Sequence, residues 1–87
     1  MAAYNATIQH MAIYWNVKAR ADAKGWTNAH QLAVNASISY PIAWRILQGE
    51  ASAEPIERIE TATLEKLARA FALKSPWSLL EYRADSR

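Results

Sequence analysis

Side chains that could do acid–base or metal chemistry are few and widely spaced in this 87-residue chain. His10 and His30 lie far apart in sequence and the chain has no cysteine, so no metal-ligand spacing is present. Glutamates cluster between residues 50 and 60, where a solvated acidic connector is the simpler interpretation than a pair of catalytic carboxylates. No nucleophile–base pair and no phosphate-cradling glycine loop is visible. We therefore expect no enzyme, no metal and no other cofactor.

Composition indicates one small helical domain. The chain is 52% hydrophobic and rich in alanine, the best helix former. The sequence shows no signal peptide and no run of about 20 apolar residues, and the absence of cysteine suits a reducing compartment. We therefore expect a cytoplasmic protein without membrane contact. The net charge of +2 and the pI near 9.2 suit nucleic-acid binding without requiring it.

Hydrophobic spacing predicts an all-α fold of five short helices. The predicted helices cover about residues 7–24, 29–36, 40–47, 60–71 and 76–82. We expect a loose arm at 1–6, one domain at 7–82 and a tail at 83–87. The inward positions of the first helix, at steps of three and four, are Ile8, Met11, Tyr14, Val17 and Ala21.

Helix-end signals support these boundaries. Gly25 and Gly49 are expected to end the first and third helices, because glycine tolerates the left-handed backbone past a helix end. Asn28 and Ser39 are expected to cap the amino ends of the second and third helices. Pro41 then falls in a first helical turn, where a missing N–H costs nothing.

Residues 28–49, NAHQLAVNASISYPIAWRILQG, form two short predicted helices separated by a tight turn. This stretch resembles the helix-turn-helix of the Cro/repressor (XRE-like) family of transcriptional regulators. Residues 63–73, TLEKLARAFAL, resemble the family's next helix, and residues 77–82 resemble its terminal helix. The resemblance covers about residues 11–82. It implies a five-helix, lambda-repressor-like DNA-binding domain with a central helix-turn-helix.

The resemblance also implies which residues meet DNA. The second helix would brace the third, which would read base edges in the major groove. The expected bracing residues are Leu32, Ala33, Ile38, Ala43 and Ile46. The expected base-contacting residues are Tyr40, Pro41, Trp44, Arg45 and Gln48. The expected backbone-contacting residues are Asn28, Ala29, His30, Gln31 and Ser39.

Arg45 is the first candidate for base reading, since its guanidinium fork matches the two acceptors of guanine. Two departures from the family pattern are visible. Ser37 stands in the turn where the family often has glycine. Ala21 and Leu47 stand where many members pair an arginine with a glutamate, so an apolar contact is expected to replace that ion pair.

The expected assembly is a homodimer on a palindromic operator, acting as a repressor by occupying the promoter. Trp77, Leu80 and Tyr82 are the candidate dimer contacts, divided between core and interface. An alternative is a protein-interaction module on the same fold, such as an antitoxin or adaptor. Exposed Tyr40, Trp44 and Trp77 would then form an apolar docking patch for a protein partner.

Overall fold

A computed structural model describes residues 10–85 of the chain. Within them, four α-helices and a two-stranded antiparallel sheet form a small α/β fold. The elements in chain order are β1 (Met11–Trp15), α1 (Lys18–Ala23), α2 (Ala29–Ala36), α3 (Tyr40–Ala51), α4 (Thr61–Ala70), a 3₁₀-helix (Pro76–Leu79) and β2 (Leu80–Ala84). The predicted all-α, five-helix, lambda-repressor-like architecture is therefore wrong. The predicted arm at 1–6 lies outside the described residues.

The first predicted helix is replaced by a strand followed by a short helix. Residues 11–15 form β1, and α1 begins only at Lys18. Tyr14, Val17 and Ala21 are buried, as their spacing predicted, but Met11 is exposed and Ile8 lies outside the described residues. The apolar residues spaced three and four apart thus lie partly on β1 and partly on or next to α1, and not on one helix. Aromatic and β-branched side chains at residues 13–15 favour the strand conformation.

The last predicted helix is divided between a 3₁₀-helix and a strand. Ser75 accepts a hydrogen bond from the N–H of Trp77 at 3.3 Å and starts a single 3₁₀ turn. The chain then enters β2, which runs to Ala84, two residues beyond the predicted domain boundary. Its partner is β1, in a register that joins Met11 to Ala84 and Trp15 to Leu80. This pairing connects the two ends of the domain, so no local pattern could reveal it.

The core lies among the four helices and the inner end of the sheet. Its largest fully buried side chains are Tyr14, Val17, Leu32, Leu67 and Leu79. The apolar stripe predicted for α4, at Leu64, Leu67, Ala68 and Phe71, is confirmed as buried. Trp26 closes the core against Phe71, with ring centroids 5.1 Å apart. None of the helices in the part of the chain that the structure describes could cross a bilayer.

The four helices end with the same backbone conformation. Each is followed by a left-handed residue at positive φ: Gly25 (80°), Ser37 (59°), Ala53 (54°) and Ala72 (55°). The next N–H then bonds to the carbonyl five residues earlier, as in Ile38 to Ala33 at 3.0 Å and Leu73 to Ala68 at 2.9 Å. The prediction that Gly25 ends the first helix is confirmed. The predicted stop at Gly49 is wrong, because α3 continues to Ala51 and its left-handed residue is Ala53.

Candidate nucleic-acid interface

The amino end of α2 is closed by a reciprocal pair of side-chain caps. The Oδ1 of Asn28 accepts the N–H of Gln31 at 2.9 Å, which confirms the predicted N-cap. In return, the Oε1 of Gln31 accepts the N–H of Thr27 at 2.9 Å. This arrangement satisfies the Gln31 N–H, which a helix start leaves without a partner, and the N–H of Thr27, the residue before the cap. The Nδ2 donors of Asn28 have no partner within residues 10–85 and remain available for an acceptor outside the protein.

The turn between α2 and α3 depends on Ser37. Its φ of 59° and ψ of 40° place it in the left-handed region, the conformation that glycine adopts most readily. Ser39 follows in an extended conformation and accepts the N–H of Ile42 at 3.4 Å, which confirms it as the cap of α3. Pro41 occupies the first turn of that helix, as predicted. The two helices are thus joined by a short turn that sets the direction of α3.

Buried side chains hold α3 against α2. Leu32 and Ala33 of α2 and Ala43 and Ile46 of α3 are all buried, and Ile38 in the turn is half-buried. The predicted bracing set is therefore confirmed as part of the core. Because these side chains fix α3 from beneath, its opposite face is presented outward on a rigid support.

The outward face of α3 carries every predicted base-contacting residue. Tyr40 is 53% exposed and Trp44 is 52% exposed, one helical turn apart. Together with Pro41 and Arg45 they line a shallow depression on the surface. Arg45 is exposed and forms no ion pair with any residue from 10 to 85. Gln48 is exposed too, but its Nε2 donates to the Oγ of Ser52 at 3.3 Å, along its own helix.

The predicted backbone-contacting residues differ in what they can offer. His30 is exposed near the start of α2, whereas the Ala29 side chain is buried, so only the main-chain N–H of Ala29 could contact a phosphate. The cap bonds already occupy Oε1 of Gln31 and the hydroxyl of Ser39 as acceptors. Gln31 Nε2 and the Ser39 hydroxyl proton are still donors, and a phosphate needs donors.

A groove on the other side of Arg45 was not predicted. It has a volume of about 460 Å³ between α3 and residues 54–60, and Arg45 is one of its lining residues. Its apolar lining includes Trp15, Ile42 and Ile56, and its charged lining includes Glu54, Glu57, Arg58 and Glu60. The connector is held here because the N–H of Ile56 donates to the carbonyl of Ile13 at 2.7 Å. Arg45 therefore has the aromatic depression on one side and carboxylates on the other.

The candidate dimer contacts lie at the far end of the fold, on the 3₁₀-helix and β2. Trp77 is 67% exposed and Tyr82 is 68% exposed, whereas Leu80 is half-buried against the core. The expected division of these residues between surface and core agrees with their burial. That a second copy of the chain covers Trp77 and Tyr82 stays a prediction.

The described residues contain no group of three or more histidine, aspartate or glutamate side chains that could hold a metal ion. Comparison with known proteins gives no relative: no family model, no curated protein and no solved structure matches the chain.

Proposed function

We propose that this chain is a cytoplasmic transcriptional regulator that binds double-stranded DNA by inserting α3 into the major groove. One observation carries the proposal: the outward face of α3 carries the exposed side chains of Tyr40, Trp44 and Arg45, on a helix braced by α2. An α-helix fits the major groove, where each base pair shows a distinct set of donors, acceptors and methyl groups. A helix can reach those groups only when its own protein does not cover its outer face.

Arg45 supplies the base-reading contact in this proposal. Its guanidinium can donate two parallel hydrogen bonds to O6 and N7 of guanine, and no internal ion pair from residues 10–85 competes for it. Tyr40 and Trp44 lie in the first and second turns of α3, and recognition helices contact bases through their amino-terminal residues. Their rings offer apolar contact to thymine methyl groups, and each carries one donor for a base or phosphate.

The start of α2 supplies phosphate contacts. Asn28 Nδ2 and the exposed His30 are side-chain donors, and the first-turn N–H of Ala29 adds a main-chain donor at the positive end of the helix. Such contacts position a protein on the duplex but carry no sequence information. They fix the register at which Arg45 meets a base.

The charge distribution sets the direction of approach. A net charge of +2 is too small to bind DNA by charge alone, so shape and hydrogen bonds must contribute. Glu54, Glu57 and Glu60 beside the groove repel phosphate, so the duplex approaches Arg45 from the side of Tyr40 and Trp44. Occupying the promoter in this way would repress transcription without any further domain.

The proposal is tested by selecting bound duplexes from a random pool with the full chain. We expect an enriched motif containing guanine, repeated as an inverted half-site if the protein binds as a dimer. Binding should weaken as salt is raised, in proportion to the number of phosphates contacted. A pool that shows no enriched sequence, with duplex binding at the level of an unrelated basic protein, contradicts the proposal.

A second candidate is a docking surface for a protein, which the depression between Tyr40, Pro41 and Trp44 favours. Exposed aromatic side chains around a concave patch are typical of protein interfaces. The two functions differ in their response to salt, because burial of apolar surface is little affected by salt concentrations that release a protein from DNA. A partner that co-purifies in high salt, without nucleic acid, would favour this candidate.

A further inference from the structure

The outer edge of β2 is unpaired within residues 10–85. The sheet has two strands, and β1 lies between β2 and the connector, which bonds to β1 through Ile56. One edge of β1 is paired with β2, and the other edge is bonded to the connector at Ile13. A further strand therefore cannot pair with β1 along its full length. An open strand edge presents a row of main-chain donors and acceptors that readily pairs with another strand.

The hydrogen bonds at the ends of the ribbon show which residues of β2 face outward. The N–H of Asn16 donates to the carbonyl of Leu79, and the N–H of Asp85 donates to the carbonyl of His10, both at 2.7 Å. In an antiparallel pair, hydrogen-bonded and non-bonded positions alternate. Residues 79, 81, 83 and 85 therefore direct their main-chain groups toward β1, and residues 80, 82 and 84 direct theirs to the open edge.

Most of the outward groups are free to pair. The N–H of Leu80 bonds back to the carbonyl of Trp77 within the 3₁₀-helix. Within residues 10–85, the outward N–H and carbonyl groups of Tyr82 and Ala84 and the carbonyl of Leu80 form no hydrogen bond outside the sheet. No other described strand or loop therefore pairs with this edge on either side of Tyr82.

Opposite charges flank Tyr82 along this edge. Glu81 and Arg83 lie on the same face of the ribbon, with Arg83 Nε 3.6 Å from Glu81 Oε1 and both side chains about half exposed. We propose that β2 pairs antiparallel with β2 of a second copy of this chain, with the two-fold axis at Tyr82. A sheet of four strands then runs through the dimer.

The charges of Glu81 and Arg83 favour the register centred on Tyr82 over the registers shifted by one residue. Residues 80, 82 and 84 are the positions whose main-chain groups face the open edge, so a symmetric pairing that uses at least two of them must be centred on 81, 82 or 83. A centre at Glu81 places the two glutamates opposite each other, and a centre at Arg83 does the same for the two arginines. A centre at Tyr82 places Glu81 opposite Arg83 of the second copy, twice. These are non-hydrogen-bonded pairs, in which side chains approach most closely.

The apolar face of the ribbon supports the same pairing. Met11, Ile13 and Tyr82 are exposed on the face opposite Glu81 and Arg83, and Ile13 lies directly across from Tyr82. Pairing at Tyr82 would join the two Ile13–Tyr82 pairs into one row across the sheet. Aromatic and β-branched neighbours of this kind stabilise antiparallel strands. This inference is independent of DNA binding, since it uses none of the residues of α2 or α3.

The test exchanges charge between two variants. E81R alone places Arg opposite Arg83 of the second copy, and R83E alone places Glu opposite Glu81, so each should dimerise at least about tenfold more weakly than the natural chain. Mixed together, the two variants present Arg only opposite Glu and should form a heterodimer. E65R is the matched control, because Glu65 is exposed on α4 and is not part of β2. Sedimentation equilibrium on each protein and on the mixture measures the dissociation constants.

Amide hydrogen exchange tests the pairing without any substitution. The N–H groups of Tyr82 and Ala84 should become protected as the protein concentration rises, whereas those of Glu81 and Arg83 should be protected throughout by β1. This measurement also covers the possibility that R83E weakens the fold, since Arg83 lies 4.0 Å over the Tyr14 ring. A chain that stays monomeric at millimolar concentration overturns the proposal. So does a dimer that E81R leaves intact or that W77A alone dissociates.

Discussion

The carboxylate of Glu50 caps the helix that follows β1 by accepting the N–H of Val17 at 2.9 Å. The same Oε2 accepts the N–H of Lys18 at 3.0 Å. Val17 offers α1 no side-chain cap of its own, so the last turn of α3 supplies one across 33 residues of sequence. A carboxylate at a helix amino end also interacts favourably with the helix dipole. This contact joins the carboxyl end of α3 to the amino end of α1.

Glu50→Ala should lower the free energy of unfolding by about 1–2 kcal/mol, because it removes two charge-assisted hydrogen bonds and a helix cap. Glu50→Gln should cost about half as much, since the amide oxygen can still accept but carries no charge. Urea unfolding of each variant measures the difference. Glu65→Ala, on the exposed surface of α4, is the control and should change stability by less than about 0.5 kcal/mol. Equal effects at positions 50 and 65 would show that the cap does not form in solution.

The α2–turn–α3 unit could be predicted because its signals are local. Asn28 and Ser39 each cap the helix that begins at the next residue. The buried residues of each helix, Leu32 and Ala33 in α2 and Ala43 and Ile46 in α3, follow the helical repeat within that helix. The outward face of α3 follows from the same periodicity. Residues 11–15 and 80–84, by contrast, form strands that pair with each other from opposite ends of the domain. The apolar residues in these segments recur at steps of three and four, which is the spacing of a helix. The pairing between the two segments is not visible in that spacing.

The role of Glu50 escaped prediction for a similar reason. The sequence placed it in a solvated acidic connector, and the positions expected to link the first and third helices were Ala21 and Leu47. Ala21 is buried and Leu47 packs against the core, but the polar link is made by Glu50 to main-chain groups. A side chain that bonds to backbone N–H groups needs no complementary residue type. No pattern of side chains could therefore indicate it.

Asn28→Asp should separate folding from DNA binding. Aspartate caps a helix as well as asparagine does, so the free energy of unfolding should change by less than about 0.5 kcal/mol. The substitution removes the free Nδ2 donors and places a negative charge beside the phosphates. Duplex affinity should fall for specific and scrambled sequences alike, as measured by titration at fixed salt. Asn35→Asp adds the same charge at the other end of α2 and should have a smaller effect on affinity.

Arg45→Ala should weaken binding to the selected duplex by about 1–3 kcal/mol and binding to a scrambled duplex much less. The reason is that a bidentate contact to guanine depends on sequence, whereas contacts to phosphate do not. Arg69→Ala removes the same charge from the exposed surface of α4 and is the matched control. Equal losses on both duplexes would assign Arg45 to the phosphate backbone instead of a base.

Replacing the left-handed residues at three helix ends with glycine should stabilise the protein. Ser37, Ala53 and Ala72 have φ between 54° and 59°, where a side chain costs about 1–2 kcal/mol and glycine costs none. Part of this gain is offset by the greater freedom of glycine in the unfolded chain, so each substitution should add about 0.5–1 kcal/mol. Thermal unfolding of the single variants and of the triple variant measures the gains.

Two controls establish that the gain comes from the backbone conformation. Ala62→Gly, inside α4, should lower the unfolding free energy by about 0.5–1 kcal/mol, the usual cost of glycine in a helix. Gly25→Ala should also be destabilising, and for backbone reasons alone, because φ is 80° and a Cβ there would meet no atom within 4 Å. If Ala53→Gly and Ala72→Gly destabilise the protein as Ala62→Gly does, those residues are not left-handed in solution. That result would contradict the conclusion that α1, α2, α3 and α4 all end with a left-handed residue.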